Sequence, residues 1–322
     1  MKKKTIVILV AMVVLVTLVG LGALTILNSR TSNSEPVRIN LPEGTTYEAL
    51  RDSLDTHLVF NKGLNKRIFN LQFSILNSTN RPGSNVIEPH MRNLALVRKL
   101  RNGQQDPIRL SIGKFRTPQQ LNEYLNSKLM HNDFNVTLDS FYLILPDTYE
   151  FYWTVAPEQF KQRMEKEFES FWKKKIGLNG ELHNFKDIVI LASIVEEETN
   201  NEAEKPTIAR VYLNRLDRGM PLQADPTVKY AVGDFALQRI LNKHLAVDSP
   251  FNTYLHTGLP PAPICLPSKS TITAVITAPE HNYIYFCASD KMDGTHRFAA
   301  TLAEHNRNAA AFHAALNRRG IK

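Results

Sequence analysis

An uncharged run from Thr5 to Leu27 limits what this chain can fold into more than any other feature. Within it only Thr5, Thr17, Gly20, Gly22 and Thr25 are weakly polar or small. A helix rises about 1.5 Å per residue, so this run exceeds the roughly 30 Å hydrocarbon core of a bilayer and satisfies its own backbone there. Lys2, Lys3 and Lys4 precede it, which favours a cytoplasmic N-terminus and places everything after Asn28 outside the cytoplasm. A cleaved signal peptide would carry an apolar core of about 7–15 residues with a small-residue cleavage site after it. This run is longer. The expectation is therefore a cytoplasmic tail over residues 1–4 and an uncleaved single-pass anchor over residues 5–27.

The rest of the chain has an ordinary globular composition, 43% hydrophobic and 22% charged over 322 residues, enough for one large or two smaller domains. The formal charge of +8 is spread out, apart from the N-terminal lysines and Lys173–Lys175. Such a spread suits an anionic membrane surface or polymer and gives no reason to expect nucleic acid. Two cysteines, Cys265 and Cys287, are too few for a disulfide scaffold or a metal cluster. They could pair in an oxidising compartment or stay free in their apolar settings.

A polar linker is expected over residues 28–36. Val37–Leu41 alternates as a strand and ends at the Pro42–Gly44 turn, and Thr45 or Thr46 can cap a helix over Tyr47–Leu54. Helical periodicity continues over Leu64–Leu76, followed by a turn-forming loop at 77–83. The pattern then recurs, with a strand at Ile108–Ile112, a cap at Thr117 and a helix over Pro118–Leu129 that has proline at its first position. This recurrence fits a small α/β module over residues 37–135. Further helices are expected at Pro157–Lys174, through residues 188–198, at Glu202–Arg218 with a stop at Gly219, and at Ala309–Leu316. Pro221–Phe298 reads as turns and short strands, including a buried strand at Asn282–Ser289. The predicted class is thus α+β: a transmembrane helix, a small α/β module, and a larger mixed domain over residues 136–322.

Common site signatures for metals, nucleotides and activated serines are missing from the sequence, and the ten histidines lack ligand spacing. No metal or cofactor is expected. His296 and His305 could belong to a site, although each reads first as a satisfied or solvent-facing side chain. Carboxylate chemistry or pure binding remains. The segment IVILASIVEEET (Ile188–Thr199) ends an apolar helical run in three glutamates. At about 100° per residue, Glu198 falls roughly 35–55° from the centre of the apolar face, whereas Glu196 and Glu197 lie over about 100° away and are expected in solvent. A carboxyl group among Leu191, Ile194 and Val195 loses hydration, and its raised pKa suits it to donate a proton near neutrality. Pro221–Tyr230 and the proline-stiffened Ser249–Ser268 supply the amide, hydroxyl and aromatic groups that a sugar polymer needs.

Several segments in order resemble one family: ASIVEEET, Val211–Gly233, Asn252–Pro267, the YIYF strand and HRFAATLAEHNRN (His296–Asn308). Together they are similar to the MltG, or YceG-like, family of membrane-anchored endolytic murein transglycosylases, most strongly over residues 143–310. Arg81–Gln104 resembles part of that family's LysM-like module over 37–135. It departs by having Gly83-Ser84-Asn85 and Ile112-Gly113 where the family usually has Gly-Thr-Tyr and Glu-Gly. The resemblance implies that Glu198 is the catalytic acid. Polar density and family motif together mark Gln223, Asp225, Thr227, Tyr230, Asn252, Thr253 and Tyr254 as substrate-binding candidates. It further implies peptidoglycan strands as substrate, cleaved between MurNAc and GlcNAc to give 1,6-anhydro ends, with synthases as partners at the outer face of the cytoplasmic membrane. Two other readings stay open: a non-catalytic glycan-binding tether, and a hydrolase with Asp225 as its second carboxylate.

Overall fold

The computed structural model describes residues 2–57, 59–60, 63–76, 79–175, 184–237 and 239–319. It is a mixed α+β structure in two compact units: Met1–Leu110 with Lys128–His131 and Glu150–Val155, and Ser111–Ser127 with Asn132–Tyr149 and Ala156–Lys322.

The first unit opens with helix α1 (Lys2–Asn28). Its stretch Lys3–Asn28 has a mean hydropathy of 3.0 over its most apolar window, none of it buried, and is long and apolar enough to cross a membrane. The polar residues that follow are tied down by hydrogen bonds. Ser29 and Thr31 are buried, and Asn33 Nδ2 donates to Ile87 O at 3.0 Å. Strand β1 (Val37–Leu41) leads through a Thr46-capped helix α2 (Tyr47–Thr56) to helix α3 (Leu64–Ile75). Strand β2 (Gly83–Ile87) then pairs antiparallel with β1, from Val37 opposite Ile87 to Leu41 opposite Gly83, and helix α4 (Asn93–Asn102) follows. Ile39, Leu41, Leu50, Phe69, Ile87 and Leu100 form the core of this unit. Periodicity does not announce β2 and α4, because Gly83, Ser84 and Asn85 are weak strand formers that this strand nonetheless buries.

Strand β3 (Ile108–Ile112), helix α5 (Pro118–Lys128) and strand β4 (Asp147–Phe151) come next, with β3 paired to β4. The second unit continues through helices α6 (Pro157–Lys173), α7 (Phe185–Glu198), α8 (Lys205–Asp217), α9 (Asp225–Val232), α10 (Asn242–Leu245) and α11 (Lys269–Ile276). Strands β5 (Tyr285–Ala288) and β6 (His296–Ala299) form an antiparallel hairpin before helix α12 (Leu302–Arg318).

Helix α7 is the centre of this unit. Every residue from Ile188 to Val195 is buried, and α8, α9 and α11 pack on it. Ser193 closes the remaining side: its hydroxyl accepts from Ile264 N at 3.0 Å, so the proline-rich loop lies against the helix. A helix buried on all sides has no solvated face. The expectation that Glu196 and Glu197 face water is accordingly wrong, for their side chains are only 14% and 15% exposed.

Two expectations for the C-terminal part also change. Among the described residues, Pro221–Phe298 holds three helices as well as its strands. In Asp225–Val232 the proline at the start reads equally well as a helix N-terminus, and Gly233, with φ of 76°, ends it. Strand β5 is half-buried, because its hairpin has one partner strand and its faces are only partly covered. Both cysteines are free thiols, with Cys265 buried and Cys287 half-buried.

Candidate active site

The last turn of α7 carries three carboxylates with three different sets of partners. Glu196 faces Lys205 Nζ at 3.2 Å and accepts from the Ser268 hydroxyl at 3.0 Å and from Thr271. Burial alone would raise its pKa, but the Thr271 hydrogen bond and the Lys205 ammonium outweigh burial and hold it below its ordinary value. Glu197 pairs with Lys114 at 2.8 Å and Arg116 at 3.1 Å. Glu198 has no cation within ion-pair reach among the described residues. Its direct partner is the hydroxyl of Tyr212, on α8, which donates to Oε1. Burial pushes the Glu198 carboxyl up to about 7. The Tyr212 hydrogen bond opposes the rise, the Asp225 charge adds to it, and the more distant charges of Lys229 and Arg215 moderate it. A carboxylate at a helix C-terminus is also disfavoured by the helix dipole.

Tyr212 is almost fully buried, with its ring edge-on to Phe286 at 5.9 Å. Arg215, one turn further along α8, is buried and bonds to backbone carbonyls, with Nε donating to Ile284 O at 2.7 Å and Nη1 to Leu222 O at 2.8 Å. One guanidinium thereby ties the loop before α9 to the start of β5.

Two openings meet at Glu198. The larger, about 670 Å³, is lined by Asn200, Asn201, Ser289, Thr295 and His296 among others. The smaller, about 460 Å³, is lined by Asp225, Lys229, Arg239 and Ile240. Glu198 is the one residue common to both among the described residues.

The substrate-binding candidates occupy different places around this centre. Asp225 lies in the smaller opening and accepts from the Tyr254 hydroxyl at 2.7 Å. Gln223 is exposed, with a left-handed φ of 50°, and its amide N–H donates to Thr253 O at 3.0 Å. Thr227 and Thr253 are buried and share a hydroxyl–hydroxyl bond of 2.8 Å, and the Thr253 hydroxyl also accepts from Ala224 N. Asn252 is buried, with Nδ2 donating to Leu245 O and Val247 O, both at 2.9 Å. Tyr230 packs on Phe251 at 4.5 Å, lining neither opening. Tyr212 is not among the candidates that the sequence marks. The missing signal is tertiary, since only the crossing of α7 and α8 brings Tyr212 to Glu198.

A half-buried carboxyl with its pKa raised to about 7, at the junction of two polar openings on an α+β scaffold, is able to exchange a proton near neutral pH. Residues 39–311 match the YceG-like family, and the chain belongs to that family. It is 44% identical over 120 residues to the endolytic murein transglycosylase of Bacillus subtilis (strain 168), a match covering 37% of this chain and 32% of that one. The corresponding Streptococcus pneumoniae (strain D39) protein is 34% identical over 128 residues, covering 38% and 23%. The matched part thus spans about a third or less of these curated relatives. A crystal structure of a yceG-like protein, lmo1499, from Listeria monocytogenes superposes with a TM-score of 0.51 at 29% identity, covering 85% of this chain and 99% of that one.

Proposed function

We propose that this chain is a membrane-anchored endolytic lytic transglycosylase that cuts the MurNAc–GlcNAc bond within nascent peptidoglycan strands. The cut leaves 1,6-anhydro-MurNAc ends and limits strand elongation. The observation that carries this reading is the position of Glu198 at the meeting point of two openings. A strand lying through both would present an internal bond to a single carboxyl poised near neutral pH. The names of the Bacillus and Streptococcus relatives support it.

In this mechanism protonated Glu198 gives its proton to the glycosidic oxygen as the C1–O bond of MurNAc breaks and positive charge develops at C1. The resulting carboxylate takes the proton of the MurNAc C6 hydroxyl, whose oxygen bonds to C1. Glu198 ends as it began, and no water is consumed. A group that must both give and accept a proton works best with a pKa near the working pH, which burial against Tyr212 supplies. We assign sugar contacts to Gln223, Asp225 and Tyr254. To Thr227, Tyr230, Asn252 and Thr253 we assign the shaping of the loops that carry those contacts.

The anchor over residues 5–27 would hold the site at the outer face of the cytoplasmic membrane, close to newly made strands and to synthases. Residues 37–135 would act as a LysM-like membrane-proximal module and residues 136–322 as the catalytic part. A second reading rests on Asp225, which shares the smaller opening with Glu198 and could serve a hydrolase as its second carboxylate. Digestion of purified murein by the full chain in detergent, with products read by mass, separates these readings. Internal fragments with anhydro ends that disappear in Glu198→Gln are expected. Reducing MurNAc ends that depend on Asp225 would establish the hydrolase, and bound but uncut murein would establish a tether.

A further inference from the structure

The larger opening is lined by His296, whose ring pairs with a carboxylate, and the reaction above uses neither. Glu204, the residue before α8, spends both carboxylate oxygens on His296. Oε1 accepts the His296 backbone N–H at 2.9 Å, and Oε2 meets ring Nδ1 at 2.8 Å. Both side chains are largely buried, at 15% and 16% exposed, and the imidazole meets Phe286 edge-on at 5.5 Å. The ring is therefore fixed in position.

His281 shows what a structural histidine looks like in this unit. It uses both nitrogens on the protein, with Nε2 bonded to Thr207 O at 3.1 Å and Nδ1 accepting from Tyr283 N at 3.2 Å. His296 differs. Its Nε2 has no protein partner among the described residues, and the residue lines the same opening as Glu198. A carboxylate at Nδ1 requires the proton there, so the neutral ring offers a lone pair at Nε2. Its neighbours in the opening include Asn200, Asn201, Ser289 and Thr295, which are neutral hydrogen-bonding groups. Besides Glu198, the opening is lined by one carboxylate among the described residues, Asp293, whose Oδ1 accepts from the amide and hydroxyl of Thr295. That chemistry suits an uncharged sugar better than a carboxylate-bearing peptide.

We infer that the Glu204–His296 pair is a sugar-recognition element, in which Nε2 accepts a hydrogen bond from an acetamido N–H or a ring hydroxyl of the glycan strand. The inference rests on the glycan-cleaving reading of Glu198 and assigns the larger opening to strand binding. Glu204 does not touch the strand. It is a positioning residue that sets which ring nitrogen carries the proton.

The test measures binding of an end-labelled, stem-free glycan strand by fluorescence anisotropy, using the full chain in detergent with Glu198→Gln so that the strand stays intact. Adding His296→Phe should weaken binding about tenfold, measured at a temperature where the variant is folded, since it also takes the ring partner from the Glu204 carboxylate. Adding Glu204→Gln puts an amide N–H against Nδ1 and turns Nε2 into a donor. It should weaken binding by a similar factor although the imidazole remains. A folded pair of variants that bind as tightly as the Glu198→Gln parent would overturn the inference. A loss seen only with stem-bearing strands would overturn the sugar assignment in favour of peptide recognition. No strand binding by the parent itself would remove the glycan-cleaving reading and this inference with it.

Discussion

Glu196 and Glu198 sit two residues apart at the end of one helix, both shielded from solvent, and their carboxyl groups titrate in opposite directions. Glu196 finds an ammonium and two hydroxyls, and it ionises more readily than usual. Glu198 finds one phenol and no ion-pair partner among the described residues, and loss of hydration prevails. Both lose hydration, so burial alone does not make a catalytic acid. What separates them is whether the protein replaces the lost water with a full positive charge or with a single neutral donor. The first arrangement fastens helices together, because Lys205 and Thr271 belong to α8 and α11. The second leaves a proton available at the junction of two openings.

The largest expected effect is on turnover. Glu198→Gln should lower murein cleavage by about 10²–10⁴-fold or more with the fold intact, measured as released fragments per enzyme. Glu196→Gln should have its main effect on stability. It leaves the Lys205 ammonium, 3% exposed, with the solvent-exposed Glu202 carboxylate as its remaining counter-charge, and should cost about 2 kcal/mol in denaturant unfolding. If the two substitutions were equally harmful to turnover at equal stability, the division of labour between these carboxylates would be wrong.

pH provides a second lever, with opposite signs at the two positions. Glu198 is raised in the folded state from its ordinary 4.5 to about 7. Its contribution is thus fully present below the unfolded pKa and is lost as pH rises through about 7. Relative to Glu198→Gln, the parent should lose about 3 kcal/mol between about pH 4 and 8, since the shift of about 2.5 is worth about 1.4 kcal/mol per unit. Glu196 is lowered, so its contribution is present above its ordinary value and is lost as pH falls through the folded one. The difference between parent and Glu196→Gln should therefore shrink in acid. Parallel pH–stability curves for parent, Glu196→Gln and Glu198→Gln would contradict both assignments at once.

The local elements are legible in the sequence where one rule dominates. Thr46 caps α2, and the proline at the start of α5 marks a helix that ends within one residue of its predicted bound. Glu198 is singled out by helical angle because its place relative to Leu191 and Val195 follows from geometry alone. Its neighbours are misjudged because a helical wheel assumes one wet side, and α7 has none. The partners that decide each carboxylate, Lys205, Thr271 and Tyr212, lie on other helices. The paired hydroxyls of Thr227 and Thr253 likewise join separate segments. Composition identifies such groups as polar, but only the packed chain shows whether they face a cleft or each other.

Tyr212→Phe probes the neutral donor itself. Its hydrogen bond favours the ionised form of Glu198, so its removal should raise the pKa further and move the descending limb of the pH–rate profile upward. Turnover at neutral pH should fall about tenfold, as expected for losing one hydrogen bond to a charged group that must be held in place. A drop in rate with the limb unmoved would mean that Tyr212 shapes the cleft without tuning the acid.

The smallest effect belongs to Glu197, and it places the boundary between the two kinds of site. This carboxylate is largely buried, but its partners Lys114 and Arg116 are 35% and 36% exposed, so water already solvates the cationic side of the pair. Such pairs are worth about 1 kcal/mol or less, and salt screens them. Glu197→Gln should therefore cost up to about 1 kcal/mol in low salt, shrink at high ionic strength, and leave turnover within about twofold. Glu197 also lines the smaller opening beside Glu198. A Glu197→Gln variant as inactive as Glu198→Gln would thus move the proton-handling role one residue along the helix. Unchanged turnover with a small, salt-dependent loss of stability would keep that role on the glutamate without a cationic partner.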